Sequence, residues 1–243
     1  MKLFDNISGL SIIGGGMAKL GPNKKAIEKA RAEGDIKTEQ EEILKACQIW
    51  SNHIVERMQV DIRVIHEENL PKHGPVVFIA NHQSYADILT FLYIVKNHQV
   101  AFIAKDNLEK IPFFGKWVER IRGIYIHRGD ARASLATINE GVEYLKQGFS
   151  LVIFPEGTRE KDGKLLPPKS GLFVIAAGAG VDVVPCRILY DTPDGKMHLF
   201  CKVRVIYGEP MPAEQFAMES RRDTKKLRAN KQALLDAWEK MGA

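Results

Sequence analysis

The order of apolar and polar residues changes near residue 60, and the first part of the chain has a helical pattern. Within residues 24–58 the apolar residues recur at spacings of three and four, which form one face of an α-helix. This stripe consists of Ile43, Cys47, Trp50, Ile54 and Met58. Thr38 and Glu41 have the spacing of a capping box, so we expect the main helix to begin near Thr38. The pattern predicts a helical N-terminal arm over residues 1–58.

From about residue 60, short apolar runs of strand length alternate with helical stretches. The runs lie at residues 76–80, 100–104, 124–126, 151–154 and 181–185. This alternation indicates βαβ units. Residues 197–207 alternate like a late strand and follow a turn at residues 191–195, so we expect an antiparallel edge there. We therefore predict an α/β domain over residues 59–243, with a mixed, largely parallel sheet flanked by helices.

The end of the chain predicts a basic helix over residues 221–240. Its apolar side consists of Leu227, Leu234, Leu235 and Trp238. Packing of this side on the domain is the favoured interpretation, and contact with a membrane is the alternative.

The charge balance favours an anionic partner. The chain has 35 Lys and Arg residues against 30 Asp and Glu residues, a net charge of +5. An anionic bilayer or a phosphorylated substrate would suit this charge. The basic residues are spread along the chain without a recognised nucleic-acid motif, so no nucleic-acid partner is expected. The cysteines at positions 47, 186 and 201 lack the spacing of a disulfide framework or a metal site, which predicts buried thiols and no metal.

The sequence predicts neither a membrane-spanning helix nor a secretion signal. No uninterrupted apolar run reaches the roughly 18 to 20 residues that a spanning helix needs. Residues 1–22 are partly apolar, but Asp5 and Asn6 interrupt them early and residues 14–16 are glycines.

His82 and Asp87 follow the strand at residues 76–80 and form the first candidate site. Residues five apart on one helix differ by about 140°, so the two side chains can meet only if His82 lies on the preceding turn. An imidazole held by a carboxylate has a fixed tautomer and can accept a proton from a hydroxyl. Alternatively, Ser84 and Asp87 form a capping box, and His82 is then an ordinary loop residue.

Three further predicted strands are each followed by a basic residue, namely Lys105, Arg128 and Arg159. Arg159 ends the segment at residues 154–159, in which Pro155 and Gly157 favour a tight turn that can present backbone amides. Guanidinium groups match phosphate oxygens, although an exposed turn would carry the same residues. Because the carboxyl ends of parallel strands share one edge, the base and the cations are expected to converge there.

The order of these motifs resembles the glycerophospholipid acyltransferase family, and within it the bacterial 1-acyl-sn-glycerol-3-phosphate acyltransferases. The resemblance covers roughly residues 60–210. The first motif is Asn81-His82-x-Ser84-x-x-Asp87, the third is residues 154–159, and the fourth resembles residues 184–188. Residues 123–128 resemble the second motif, with His127 where the family often has Asp.

This resemblance implies acyl transfer from acyl-CoA or acyl carrier protein to the sn-2 hydroxyl of lysophosphatidic acid, giving phosphatidic acid. His82 would be the general base and Asp87 would orient it. Lys105, Arg128 and Arg159 would hold the phosphate, and the family implies that its pocket is shaped by Glu156, Gly157 and Thr158. Neither a cofactor nor a metal is implied. Alternative acceptors are glycerol 3-phosphate and other lysophospholipids, and a non-catalytic lipid-binding protein is the rival class.

Many members of the family have a spanning helix, so the absence of one here predicts a peripheral protein on the cytoplasmic face of the cell membrane. The N-terminal arm is expected to lie on an anionic membrane surface through the stripe at Trp50. The neighbouring basic residues are Lys19, Lys24, Lys25, Lys29 and Arg31. The alternative is that the stripe packs on the catalytic domain.

Overall fold

The computed structural model describes residues 7–110, 114–126, 131–159, 165–218, 220 and 223–242, and its helices and strands alternate over most of the chain. The helices are Ile7–Ala18 (α1), Gly21–Glu33 (α2), Ile36–Met58 (α3), Ala86–Ile94 (α4), Phe114–Arg120 (α5), Ala131–Lys146 (α6), Gly171–Ala179 (α7), Ala213–Phe216 (α8) and Thr224–Lys240 (α9). The strands are Asp61–Ile65 (β1), Val77–Ala80 (β2), Val100–Lys105 (β3), Ile124–Ile126 (β4), Ser150–Ile153 (β5), Val183–Tyr190 (β6) and Lys202–Tyr207 (β7).

The strands form one mixed sheet in the order β1-β7-β6-β2-β5-β3-β4. Every neighbouring pair is parallel except β6 with β7. The largely parallel α/β fold is thereby confirmed. The strand near residues 197–207 is antiparallel to β6, but it is not an edge, because β1 pairs with its other side. Its short and mostly half-exposed sequence gave β1 no strand signal.

Helices cover both faces of the sheet, as a buried parallel sheet requires. Successive residues of β2 point to opposite faces, so Phe78 packs with α3 and α4, while Val77 and Ile79 pack with α6 and α7. All four residues of β2 are buried. Burial of each large apolar side chain contributes roughly 1.5–3 kcal/mol, so this central strand is held firmly. The candidate site begins at the carboxyl end of β2.

The long helix α3 belongs to the core of this domain. The five residues of the predicted stripe are all buried, and Ile43, Ile54 and Met58 are completely so. The helix begins earlier than predicted, because Asp35 caps it by accepting a hydrogen bond from the Thr38 amide, so the capping-box prediction was wrong. Of the two alternatives for the stripe, packing on the domain is the one observed.

A buried ion-pair cluster joins the N-terminal helices to the turn before β4. The completely buried carboxylate of Glu39 contacts Arg31 of α2 and Arg122, each at 2.7 Å. Arg31 also donates to the backbone carbonyl of Arg120 at the end of α5. Arg31 is thus held within the protein by these contacts, whereas the lysines of α2 are exposed to solvent.

The C-terminal helix α9 packs on the α6 and α7 face of the sheet. Leu234 and Trp238 are completely buried, and Leu227 and Leu235 are partly buried against the same cluster. Across the part of the chain that the structure describes, none of the helices has both the length and the apolar character needed to cross a bilayer.

Candidate active site

The candidate site begins where β2 ends, at a side chain that ties this loop to β6. The Asn81 side chain donates a hydrogen bond to the Ile188 carbonyl (3.0 Å) and accepts one from the Ile188 amide (2.7 Å). Asn81 is almost completely buried, so these two bonds are shielded from water. The paired bonds fix the start of the loop against the neighbouring strand, and the loop then leads into α4.

His82 and Asp87 meet as the spacing predicted, with His82 on the turn and Asp87 in the first turn of α4. The imidazole Nδ1 lies 2.8 Å from Asp87 Oδ2. The same carboxylate oxygen accepts the backbone amides of Gln83 (2.7 Å) and Ser84 (2.8 Å). Asp87 is completely buried, and its three donors on Oδ2 compensate for the loss of water.

The capping-box prediction for Ser84 and Asp87 holds only in part. The Asp87 side chain accepts the Ser84 amide, as in a capping box, but the Ser84 hydroxyl accepts the Ala86 amide at 3.2 Å, and the N-cap residue of α4 is Tyr85. The carboxylate therefore shapes the loop and holds the imidazole at the same time. A carboxylate on Nδ1 fixes the tautomer that leaves Nε2 as a proton acceptor.

The segment that follows β5 holds the His82 ring from the other side. The ring stacks on Phe154 with 4.4 Å between ring centroids and 23° between the planes. The backbone amide of His82 donates to Glu156 Oε1 at 3.3 Å. The imidazole therefore lies between two motifs that are more than 70 residues apart in the sequence, and 18% of its side chain stays exposed.

His82 lines a cavity of about 420 Å³ at the carboxyl edge of the sheet. Lys105 at the end of β3 and Arg159 after β5 line the same cavity, so the structure brings His82 and two of the expected cations together. The third, Arg128, lies outside the described residues. The cavity is large enough for a small phosphate ester, and its cations match such a group.

The residues of the third motif take different positions. Gly157 lines the cavity and has a positive φ of 66°, which favours glycine at this turn. Glu156 is buried below the His82 loop, and Thr158 is exposed without lining the cavity. The Arg159 guanidinium lies 4.2 Å from the ring centroid of Tyr85, whose side chain is partly exposed. This cation–π contact places the guanidinium at the N-terminus of α4, because Tyr85 directly precedes the helix.

A second, wholly apolar cavity adjoins the first, and Ile88, Ala104 and Leu108 line both. Its other walls come from α1, α3, α4, β3 and α5 and from the turns after α1 and α5, namely Met17, Leu20, Ala46, Cys47, Trp50, Leu92, Phe102, Trp117, Val118 and Ile121. This apolar cavity of about 60 Å³ lies beside the one that His82 lines, and its lining is suited to part of a hydrocarbon chain. Burial raises the pKa of the Cys47 thiol in this wall to about 12.

The sequence did not indicate two residues that the structure adds to the site, and it gave Phe154, the first residue of the third motif, no role of its own. Tyr190 donates a hydrogen bond from its phenol to Asp87 Oδ1 at 2.7 Å. Lys169, which lies just before α7, lines the cavity. Phe154 supplies the stacking surface for His82. Tyr190 ends a strand that reads as ordinary core, so its sequence offers no signal. Two prolines before Lys169 mark a loop near a strand end, which could have suggested it.

Burial strongly affects the protonation of the Tyr190 phenol. Burial and then the neighbouring Asp87 carboxylate raise its pKa well above the ordinary value, so it stays a proton donor. Among the residues that the structure describes, no group of His, Cys, Asp and Glu side chains is arranged to hold a metal ion.

The fold and the site define an α/β protein with a His–Asp pair beside a cationic cavity and an apolar cavity. A family model described as Acyltransferase matches residues 61–189, which include both members of the pair, and the chain belongs to this family.

Relatives and a solved structure agree with this class. A 1-acyl-sn-glycerol-3-phosphate acyltransferase of Brassica napus, BAT2, is 41% identical over 124 residues, which are 50% of this chain and 35% of the relative. The Escherichia coli protein of the same name is 36% identical over 128 residues, 52% of this chain and 51% of the relative. The chain thus spans about a third to half of the length of these relatives. The crystal structure of the 1-acyl-sn-glycerophosphate acyltransferase PlsC from Thermotoga maritima is similar with a TM-score of 0.66 and 28% identity, covering 95% of this chain and 91% of that one.

Proposed function

We propose that the protein transfers a fatty acyl group from an acyl thioester to the sn-2 hydroxyl of lysophosphatidic acid, giving phosphatidic acid. The observation that carries the proposal is the 2.8 Å contact of His82 Nδ1 with a buried carboxylate, beside a cavity that holds Lys105 and Arg159. The names of the Brassica napus and Escherichia coli relatives support the same acceptor.

In this reaction His82 Nε2 takes the proton of the acceptor hydroxyl. The alkoxide oxygen attacks the thioester carbonyl and forms a C–O bond, and the tetrahedral intermediate then collapses with cleavage of the C–S bond. The imidazolium returns its proton to the departing thiolate. Asp87 stays ionised throughout and stabilises the imidazolium, which is the charge that develops in the transition state.

The acceptor phosphate would bind the cations of the larger cavity. Lys105 and Arg159 line it, and Lys169 adds a third cation from the loop before α7. Family resemblance adds Arg128. Gly157 would let the backbone approach the substrate, whereas Glu156 would act from below by holding the His82 amide. Thr158 would contribute at the outer rim, since its side chain is exposed.

The apolar cavity would receive an acyl chain, because its walls carry no polar surface and it adjoins the base. The donor is either acyl-CoA or acyl carrier protein, and the chemistry needs no cofactor because a thiolate leaves readily. Glycerol 3-phosphate or another lysophospholipid is the alternative acceptor. A pure lipid-binding role is less favoured, because binding needs no His–Asp pair.

Thiol release by the purified protein tests this proposal. The assay contains lysophosphatidic acid in mixed micelles and either acyl-CoA or acyl carrier protein charged with the same chain. We expect release that requires the acceptor and is lost in His82→Ala, and that continues in His66→Ala, whose ring is exposed and paired with Glu68. Acceptor-dependent release that survives in His82→Ala would refute His82 as the base. If the folded protein released no thiol with either donor, lysophosphatidic acid would be refuted as the acceptor.

We further propose that the N-terminal helices contact an anionic membrane surface at the cytoplasmic face. Since the α3 stripe is buried, the exposed lysines of α2 carry this proposal, and each would contribute about 1 kcal/mol. Changing Lys24, Lys25 and Lys29 to Glu should reduce flotation with anionic vesicles.

The matched control reverses three exposed charges of α9, at Lys225, Arg228 and Lys240, and changes the net charge equally. Equal flotation of the two variants would contradict a specific role of α2.

A further inference from the structure

The buried carboxylate of Asp87 has a different environment at each oxygen. Oδ2 accepts His82 and two backbone amides, whereas Oδ1 accepts the phenol of Tyr190 at 2.7 Å. Tyr190 is the last residue of β6, and Asp87 lies in the first turn of α4. The contact therefore joins two elements that are separated by about 100 residues of chain.

The position of the phenol is itself fixed. Ile188, two residues before Tyr190 and on the same face of β6, exchanges two hydrogen bonds with the Asn81 side chain. Asn81 immediately precedes His82, so the end of β6 and the His82 loop are held in one register. The phenol is thus placed against Asp87 by the same connection that places the imidazole.

Two physical effects follow from a donor at Oδ1. The phenol opposes rotation of the carboxylate, so that Oδ2 stays directed at His82 and the two amides. It also withdraws part of the negative charge from the carboxylate, which reduces the attraction that Asp87 exerts on a proton of the imidazole. Hydrogen bonds to charged groups are among the stronger ones in proteins, and the carboxylate that accepts this one is completely buried.

We propose that Tyr190 is a positioning residue for the catalytic pair, fixing the orientation of Asp87 and moderating the basicity of His82. This inference rests on the proposed function, in which His82 is the base. It assigns the end of β6 a part in the chemistry, beyond the motif residues at 184–188.

The first test compares Tyr190→Phe with Tyr207→Phe. Tyr207 is a matched control, because its buried hydroxyl has no hydrogen-bond partner among the described residues and lies on the neighbouring strand β7. Tyr190→Phe should lower kcat about ten- to hundredfold with little change in KM, which is the effect of losing one bond to a charged group. The acid limb of its pH–rate profile should move to higher pH, because more negative charge then faces the imidazole.

A second variant keeps the hydroxyl. Site-specific 3,5-difluorotyrosine at position 190 is a stronger donor, so its acid limb should move to lower pH than that of the wild type. Burial keeps the pKa of this phenol high, which favours a protonated donor in the fluorinated ring as well. If Tyr190 had only a structural role, the acid limb would not move in opposite directions in Tyr190→Phe and in the fluorinated variant.

The low-field proton resonance of the His82 Nδ1–H, assigned by its loss in His82→Ala, gives a readout without substrate. It should shift in Tyr190→Phe and stay in place in Tyr207→Phe. An unchanged resonance and acid limb in folded Tyr190→Phe would overturn the inference. If the wild type transfers no acyl group but the resonance still responds to Tyr190→Phe, the proposed reaction fails while the positioning contact stands.

Discussion

Replacing Asp87 by Asn removes one charge from the site while leaving its shape almost unchanged. The Asn oxygen can take the place of Oδ2 toward His82 and the two backbone amides, and its NH2 group can donate to the Tyr190 oxygen. The buried loop should therefore stay folded, with a change in the free energy of unfolding below about 2 kcal/mol. The difference is confined to the transition state, where the imidazolium loses its carboxylate.

The magnitude follows from the geometry. The 2.8 Å contact places the centres of the two charges about 4 Å apart, and at an effective dielectric constant of about 20 their attraction is about 4 kcal/mol. Because the neutral imidazole of the ground state gains little from it, kcat should fall about a thousandfold with an unchanged KM. Initial rates of thiol release over the acceptor concentration measure both constants.

The control for this prediction is Glu68→Gln, which removes the carboxylate from the exposed pair of Glu68 with His66 at 3.1 Å. This variant should transfer acyl groups at the wild-type rate. Activity of Asp87→Asn within tenfold of the wild type, in protein with the wild-type melting temperature, would refute the electrostatic role assigned to the carboxylate.

Two further predictions concern the apolar cavity. Ala46→Leu fills part of it from α3 and should slow transfer more for long substrate acyl chains than for short ones. The control is Ala176→Leu, which overpacks the core on the other face of the sheet, away from this cavity. If the transfer rate depended on acyl-chain length equally in both variants, the acyl pocket would be contradicted. Burial raises the pKa of Cys47 from 9.0 to about 12, so its contribution to stability is complete below pH 9 and is lost as the pH rises toward 12. Urea titrations should show Cys47→Ala losing stability less steeply above pH 9, by up to about 1.4 kcal/mol per pH unit, and parallel slopes would contradict this.

The parts of the fold that sequence predicted well are those with a strong period. The central strands are continuous apolar runs because they are buried on both faces, and their ends brought His82, Lys105 and Arg159 to one edge. In contrast, β1 was missed because half-exposed edge residues carry a weak pattern. The start of α3 was misplaced because Asp35 competes with Thr38 as a cap, and both residue types suit that position.

The contacts that the sequence could not indicate are those between distant parts of the chain. A tyrosine at the end of an apolar strand is indistinguishable from core until its hydroxyl is seen against Asp87. Similarly, the stacking of Phe154 on His82 depends on β2 and β5 being neighbours in the sheet. The stripe of α3 illustrates the same limit, since an amphipathic face is equally suited to a bilayer and to a protein core until its cover is known.

The hydrogen bonds from two backbone amides to Asp87 affect where an anion can bind. The amino end of a helix ordinarily attracts phosphate through its unpaired amides. In the loop before α4, however, the amides of Gln83 and Ser84 already donate to a carboxylate, and the amide of Ala86, the first residue of α4, donates to the Ser84 hydroxyl. These amides are therefore not available to a phosphate, which would bind the side chains of Lys105, Arg159 and Lys169. In the proposed reaction the glycerol hydroxyl of the acceptor would point to His82 and its phosphate to these side chains. Recognition of the phosphate by side-chain cations in place of backbone amides would also make acceptor affinity sensitive to ionic strength, whereas the imidazole–carboxylate pair, which is largely shielded from solvent, would be much less so.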